Sequence, residues 1–179
     1  MKIMLHICCG PCSIYPVKKL RQDAHEVLGY FYNPNIHPYL EYKKRQEVLT
    51  EYAAGIDLDC FYEERYDFEK FLRRSCFVEK ERCRHCYEMR LRKTALKAIE
   101  ENCAAFTSTL LVSPRQKHNM IAETGKNIGR ELGINFFYED FRPGYREAVR
   151  ISKEMDMYRQ QYCGCIYSEF DRYANSGRA

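Results

Sequence analysis

Short apolar runs of strand length, each followed by a helical stretch, recur along this chain, and that alternation predicts a parallel sheet covered by helices. The first run, residues 2–7, ends on a double cysteine and the turn-forming Gly10-Pro11. A helix is expected over 13–22, with Ser13 as N-cap, Pro16 in its first turn, and Tyr15, Val17 and Leu20 facing inward. Residues 26–32 read as a second strand. Asn33-Pro34-Asn35-Ile36-His37-Pro38 then specifies a fixed, irregular loop, because its two prolines and two asparagines suit turns and not a continuing strand. Helices over 39–54, 67–73 and from near Cys83 to 101, strands over 58–62, 104–111 and 135–138, and a helix over 120–132 complete the pattern. The expected class is α/β, with about five parallel strands. All 179 residues are expected to form one domain, with a short polar tail from 174 that frays.

Ligands of such sheets sit beyond the carboxyl ends of the strands, near the point where strand order reverses. The first strand ends on Cys8 and Cys9, so cysteines and cleft are expected to coincide.

No run approaches the roughly 18 consecutive apolar residues of a membrane-spanning helix. The first residues lack a small-residue cleavage site, so no signal peptide is expected. A cytoplasmic protein with no membrane partner follows as the expectation. In that compartment ten cysteines point to metal or redox chemistry and away from a disulfide framework. The net charge of +4 permits a nucleic-acid partner without specifying one. G-x-x-x-x-G-K-[ST], G-x-G-x-x-G and H-E-x-x-H are all missing, which argues against nucleotide hydrolysis and zinc peptidase chemistry.

Seven of the cysteines fall into three groups: Cys8-Cys9-Gly10-Pro11-Cys12, Cys83-Arg84-His85-Cys86 and Cys163-Gly164-Cys165. One C-x-x-C alone is equally a dithiol redox pair or half of a zinc site. Three groups together point to metal. About 70 residues separate the first group from the second, which is not the spacing of a zinc ribbon. An iron-sulfur cluster accepts thiolates from widely separated segments. Cys8 and Cys9, adjacent and expected to diverge, are assigned to different centres. Four ligands for a [4Fe-4S] cluster and three for a neighbouring metal, expected to be iron, account for all seven and leave an open coordination position. The expected division gives Cys8, Cys83, Cys86 and Cys163 to the cluster and Cys9, Cys12 and Cys165 to the second, catalytic metal. Cys60, Cys76 and Cys103 stand alone and read as small buried hydrophobes.

Asn33, Asn35 and His37 lie where a polar ligand can bind, although Asn-Pro turns also serve simply to shape loops. His6 reads as a satisfied core histidine, and His85 either tunes a cluster or faces solvent. Ser113 opens a loop, Ser113-Pro114-Arg115-Gln116-Lys117-His118-Asn119, whose cations and amides suit phosphates. Arg73-Arg74 and Arg90-Leu91-Arg92-Lys93 suit an RNA backbone, or are solvated helix faces.

Longer stretches resemble a known family, the cobalamin-independent epoxyqueuosine reductases called QueH. The resemblance rests on His6 to Ser13, Phe31-Tyr32-Asn33-Pro34-Asn35-Ile36-His37-Pro38 and Arg82-Cys83-Arg84-His85-Cys86-Tyr87 with Arg90-Leu91. It continues through Phe106-Thr107-Ser108-Thr109-Leu110-Leu111, Ser113-Pro114, Asp140-Phe141-Arg142 and Tyr158-Arg159-Gln160-Gln161-Tyr162-Cys163-Gly164-Cys165. It implies a Rossmann-like sheet related to adenine-nucleotide α-hydrolases, and a [4Fe-4S] cluster beside a second metal held by cysteines. It further implies reduction of the epoxide of epoxyqueuosine at the tRNA wobble position to give queuosine, with tRNA and an unidentified electron donor as partners. Substrate contacts are then expected from Asn33, Asn35, His37, Ser113 and Arg142, and a proton from water, His37 or Asp140. Two other classes stay open from the residues alone: a zinc-holding module that binds tRNA or another partner, and a dithiol redox enzyme.

Overall fold

In the structure, a computed structural model, residues 1–174 are described. Apart from Ala174, which caps the last helix, the tail expected to fray lies outside them. The strands β1 (Lys2–His6), β2 (Glu26–Phe31), β3 (Cys60–Tyr62), β4 (Ala105–Ser108) and β5 (Asn135–Phe136) form one all-parallel sheet in the order β3-β2-β1-β4-β5. The α/β expectation holds. Ile3, Met4, Leu5 and Ile7 are fully buried, as a central parallel strand covered on both faces requires.

Among the described residues seven α-helices flank the sheet: α1 (Gly10–Gln22), α2 (Tyr39–Gly55), α3 (Phe68–Ser75), α4 (Arg82–Glu100), α5 (His118–Leu132), α6 (Tyr145–Glu154) and α7 (Ile166–Tyr173). α1 packs on α2 and α6, and α4 packs on α3 and α5. Right-handed crossovers put α1 and α4 on opposite faces. From β1 the chain steps outward through β2 to β3, then returns to the other side of β1 for β4 and β5. Strand order therefore reverses between β1 and β4, and a crevice opens beyond their carboxyl ends.

Local chemistry moves several boundaries. α1 starts at Gly10 with Cys9 as its N-cap, three residues before the expected Ser13, because Pro11 fits the first turn. Ser13 instead donates its hydroxyl to the Gly10 carbonyl at 2.7 Å. Pro16 falls inside the helix and has no N–H to offer the carbonyl of Cys12. β4 stops at Ser108 because the Ser108 hydroxyl accepts the amide of Leu110 at 3.1 Å and caps a 3₁₀ turn over Thr109–Val112. β5 is held close beneath α5 by a glycine: a Cβ on Gly125 would stand 2.6 Å from the Phe136 ring.

Candidate metal centre

The chain leaves β1, bends at Cys8 and enters α1 at the strand-order switch. The Sγ atoms of Cys8, Cys9 and Cys12 all lie within 4.8 Å of one another, those of Cys8 and Cys9 at 3.7 Å. The expectation that Cys8 and Cys9 diverge is therefore wrong: the bend between strand and helix removes the alternation that would send neighbouring side chains to opposite faces. The Thr109 hydroxyl accepts the Cys8 amide at 3.2 Å and donates to Cys8 Sγ at 3.5 Å, tying the triad to the end of β4. Gln160 donates its side-chain amide to Cys12 Sγ at 3.2 Å. Thiol donors at Cys12 and Cys9 hold the Cys8 thiol well below its ordinary range, while burial drives Cys9 up and the bond to Cys8 drives Cys12 up.

The other four grouped cysteines come from the start of α4 and the segment before α7. Cys86 and Cys165 are buried together against Phe71 and Met89. Burial pushes the Cys86 thiol up to about 12, and Cys163, Cys165 and Cys83 act in the same direction while Arg90 opposes them. Cys163, also raised by burial, accepts the side-chain amide of Gln116 at 3.3 Å. Cys165 thus packs with Cys86.

Residues 155–165 contain no helix or strand, so side chains fix their course. Arg45, buried on α2, donates to the Cys163 and Tyr162 carbonyls at 3.1 Å each and pairs with Glu41 at 2.7 Å. Glu41 also accepts the Tyr158 hydroxyl at 2.6 Å. The loop expected to bind substrate helps to anchor the same segment. Its His37 amide donates to the Gly164 carbonyl at 2.8 Å, and the Tyr162 hydroxyl donates to the His37 carbonyl. Gly164 has φ +133°, and a Cβ there would stand 2.9 Å from Ile36, so only glycine fits.

Arg90 is buried on α4, one turn beyond Cys86. Its Nε donates to the Cys86 carbonyl at 3.3 Å, and its Nη1 and Nη2 are buried without a partner. Burial works against its charge, whereas Cys86, Cys163 and Cys8 favour it and leave its pKa raised.

A cleft of ≈ 550 Å³ opens over these sulfurs, lined by Cys8, Cys12, Cys163, Thr109, Gln116 and Gln160, with Ser113, Arg115 and Arg172 also in its wall. Of the polar residues expected at a substrate, Ser113 lines it. Asn33, Asn35 and His37 are buried and outside the lining: Asn33 donates to the Ile7 carbonyl at 2.8 Å, and the Asn35 side chain and His37 ring make no hydrogen bond of normal geometry. Arg142 also lies outside it, paired with Asp140 at 2.7 Å.

The expected RNA-facing run is dispersed by its helix. Arg90 points inward, Arg92 pairs with Glu131 at 2.6 Å, and Lys93 pairs with Glu63 at 3.2 Å. His6 is the satisfied core histidine expected, between the Ser108 hydroxyl at 3.0 Å and the Tyr32 carbonyl at 3.2 Å. Cys103 is buried and Cys60 half-buried, but Cys76, expected inside, is exposed beyond the end of α3. Arg45, Thr109 and Gln160 are site residues to which sequence reasoning gave no role, while Arg90 and Gln116 were read as contacts to RNA or phosphate. Only Arg90 carried a local signal, its four-residue spacing from Cys86.

No helix among the described residues is long and apolar enough to cross a membrane. The family model described as epoxyqueuosine reductase QueH matches residues 3–171. A protein of Dehalococcoides mccartyi named epoxyqueuosine reductase QueH is 37% identical over 172 residues, covering 96% of this chain and 94% of the relative. One of the same name from Thermotoga maritima is 37% identical over 180 residues, covering 95% and 91%. A third, from Streptococcus pyogenes, is 35% identical over 178 residues, covering 93% and 69%.

Proposed function

Because this chain belongs to the epoxyqueuosine reductase QueH family and is an oxidoreductase, we propose that it reduces epoxyqueuosine at the wobble position of tRNA to queuosine, with the metals held by its grouped cysteines. The reaction consumes two electrons and two protons and releases the epoxide oxygen as water. The observation that carries the reading is the gathering of three thiols within 4.8 Å at the strand-order switch, with Cys163 sharing the cleft wall with Cys8 and Cys12 and with Cys86 and Cys165 packed together.

Cys8, Cys9 and Cys12 are the ligands of a single metal, and Cys83, Cys86, Cys163 and Cys165 those of a [4Fe-4S] cluster. This division replaces the one expected from sequence, in which Cys8 and Cys165 held each other's places. The donors fit. A group of three thiols, two of which line the cleft, would leave its metal open to a further ligand, and four thiols from two segments would suit a cubane cluster. The unpartnered guanidinium nitrogens of Arg90 among these sulfurs call for an anionic group. When bound, the two groups would supply electrons one at a time and polarise the epoxide oxygen.

The protein's own residues do the rest. The cleft is of a size to take one modified base. Gln116 and Gln160 hold Cys163 and Cys12 in place through N–H···S bonds. Arg115 and Arg172 offer cations to tRNA phosphates at the rim. Asp140, bonded to Arg142, is held down to about 2 and has no proton to give at neutral pH, and His37 is lowered to about 4 by burial. Water entering the open cleft is the proton source that remains.

Anaerobically purified protein, reduced with dithionite and mixed with tRNA carrying epoxyqueuosine, tests the reading by nucleoside mass spectrometry. Loss of 16 mass units is about what removal of one oxygen requires. A colourless, zinc-only protein that leaves the base unchanged would favour the structural-zinc alternative; conversion by metal-free protein would favour the dithiol one.

A further inference from the structure

Two arginines are buried to the same degree in this fold, and they differ in one respect. Arg45 has Nε on Glu41 and Nη1 and Nη2 on backbone carbonyls, so each of its nitrogens is used. Arg90 has only the 3.3 Å bond from Nε to the Cys86 carbonyl and the face of Tyr87, 5.7 Å from its carbon Cζ. Its Nη1 and Nη2 are buried with nothing to donate to, and among the described residues no carboxylate lies within ion-pairing distance of it. A buried, unpaired charge is costly enough that folds rarely keep one without a counter-charge. The thiols of Cys86, Cys163 and Cys8, with Tyr87, act on its charge in the favourable direction, and it lies one turn from Cys86 on α4.

We infer that Arg90 is the counter-charge to the thiolate-ligated cluster, a positioning residue whose guanidinium donates to the cluster's sulfurs and raises its reduction potential. The inference rests on the reading that Cys83, Cys86, Cys163 and Cys165 hold that cluster. A four-thiolate cubane is anionic when oxidised and gains a further negative charge with each electron taken from a low-potential one-electron donor. A fixed cation in a dry site favours the more negative state, and hydrogen bonds to the sulfurs act in the same direction. Arg90 stays protonated throughout and forms no bond to the cluster's iron. Its place one turn after Cys86 on α4 makes the charge rigid with respect to one ligand.

The test compares full-length wild type with Arg90→Met and Arg90→Lys, each reconstituted anaerobically. Iron, sulfide and circular dichroism are measured first, and then a dithionite titration is followed optically and by electron paramagnetic resonance. Arg90→Met is expected to shift the one-electron equilibrium at least tenfold toward the oxidised cluster, about 59 mV. Arg90→Lys, which keeps the charge, should recover most of that shift. A folded Arg90→Met that loses its cluster while Arg90→Lys keeps it supports the same charge requirement. A loaded Arg90→Met cluster with an unchanged potential overturns the inference and leaves the cluster assignment standing, and an Arg90→Met chain that does not fold assigns Arg90 to the core and overturns it too. Wild type that takes up no iron or sulfide overturns the cluster assignment itself and the inference with it.

Discussion

The side-chain amide of Gln160 reaches Cys12 Sγ at 3.2 Å across 148 residues of sequence, so the segment before α7 is bonded directly to the cysteines at the end of β1. The bond is charge-assisted once Cys12 is a thiolate, and bonds of that class contribute about 1.5–3 kcal/mol. Gln160→Leu is therefore expected to weaken metal retention at the triad about 10–100-fold, the usual range for a residue that orients a metal ligand. Competition with a chelator checks it, and the cluster should be unaffected. Loss of both metal and cluster to the same extent would contradict the role given to Gln160.

Arg45 holds Tyr162 and Cys163 by their carbonyls and satisfies Glu41 at the same time. Arg45→Met leaves the Glu41 carboxylate poorly compensated and is expected to cost about 3–5 kcal/mol in urea unfolding. Glu41→Gln, which retains a hydrogen-bond acceptor for Tyr158 and Arg45, should cost less. Equal losses from the two would mean that the ion pair, and not the tethering of the segment, dominates.

His37 gives a pH signature. Burial lowers its pKa from 6.5 to about 4, so below pH 6.5 the unfolded chain takes up a proton that the folded chain refuses. The stability that this group contributes is fully present above pH 6.5 and is lost as pH falls toward 4, with a slope of at most ~1.4 kcal/mol per pH unit. His37→Gln should flatten that slope in denaturant titrations at pH 7 and pH 5. An identical slope in the variant would show that His37 does not set it.

Arg115 and Arg172 stand in the cleft wall, whereas Arg92 is engaged with Glu131 on α4. Arg115→Glu and Arg172→Glu should each weaken tRNA binding and lower the salt slope by about 0.7–0.9, the contribution of one phosphate contact. Arg92→Glu should change neither. A strong effect at Arg92 alone would move the docking face from the cleft to α4.

The sheet was legible in the sequence because parallel strands covered on both faces must be apolar throughout, as Ile3, Met4 and Leu5 are. That cysteines would stand at the cleft was legible from Cys8 and Cys9 following the first strand. Their pairing was not, since it depends on a bend at Cys8 that no residue type announces. Arg90 was read with Arg92 and Lys93 as one basic stretch, but successive residues of a helix face different directions, and Arg90 and Leu91 turn inward while Arg92 and Lys93 are partly exposed. α6 and α7 escaped because they bury little: Ala148 and Ser152 are the buried residues of α6, and α7 buries none. Gln116 and Gln160 act across loops, where spacing carries no signal.

The most direct measurement is iron and acid-labile sulfide per chain, with Mössbauer spectra, in anaerobically reconstituted wild type, Cys9→Ser and Cys165→Ser. The geometry predicts about five irons and four sulfides in wild type, the loss of a single non-cluster iron in Cys9→Ser, and the loss of the cluster in Cys165→Ser. If Cys165→Ser instead keeps its full cluster and loses the lone iron, Cys165 belongs with Cys9, and the division between the triad and the other four cysteines is wrong.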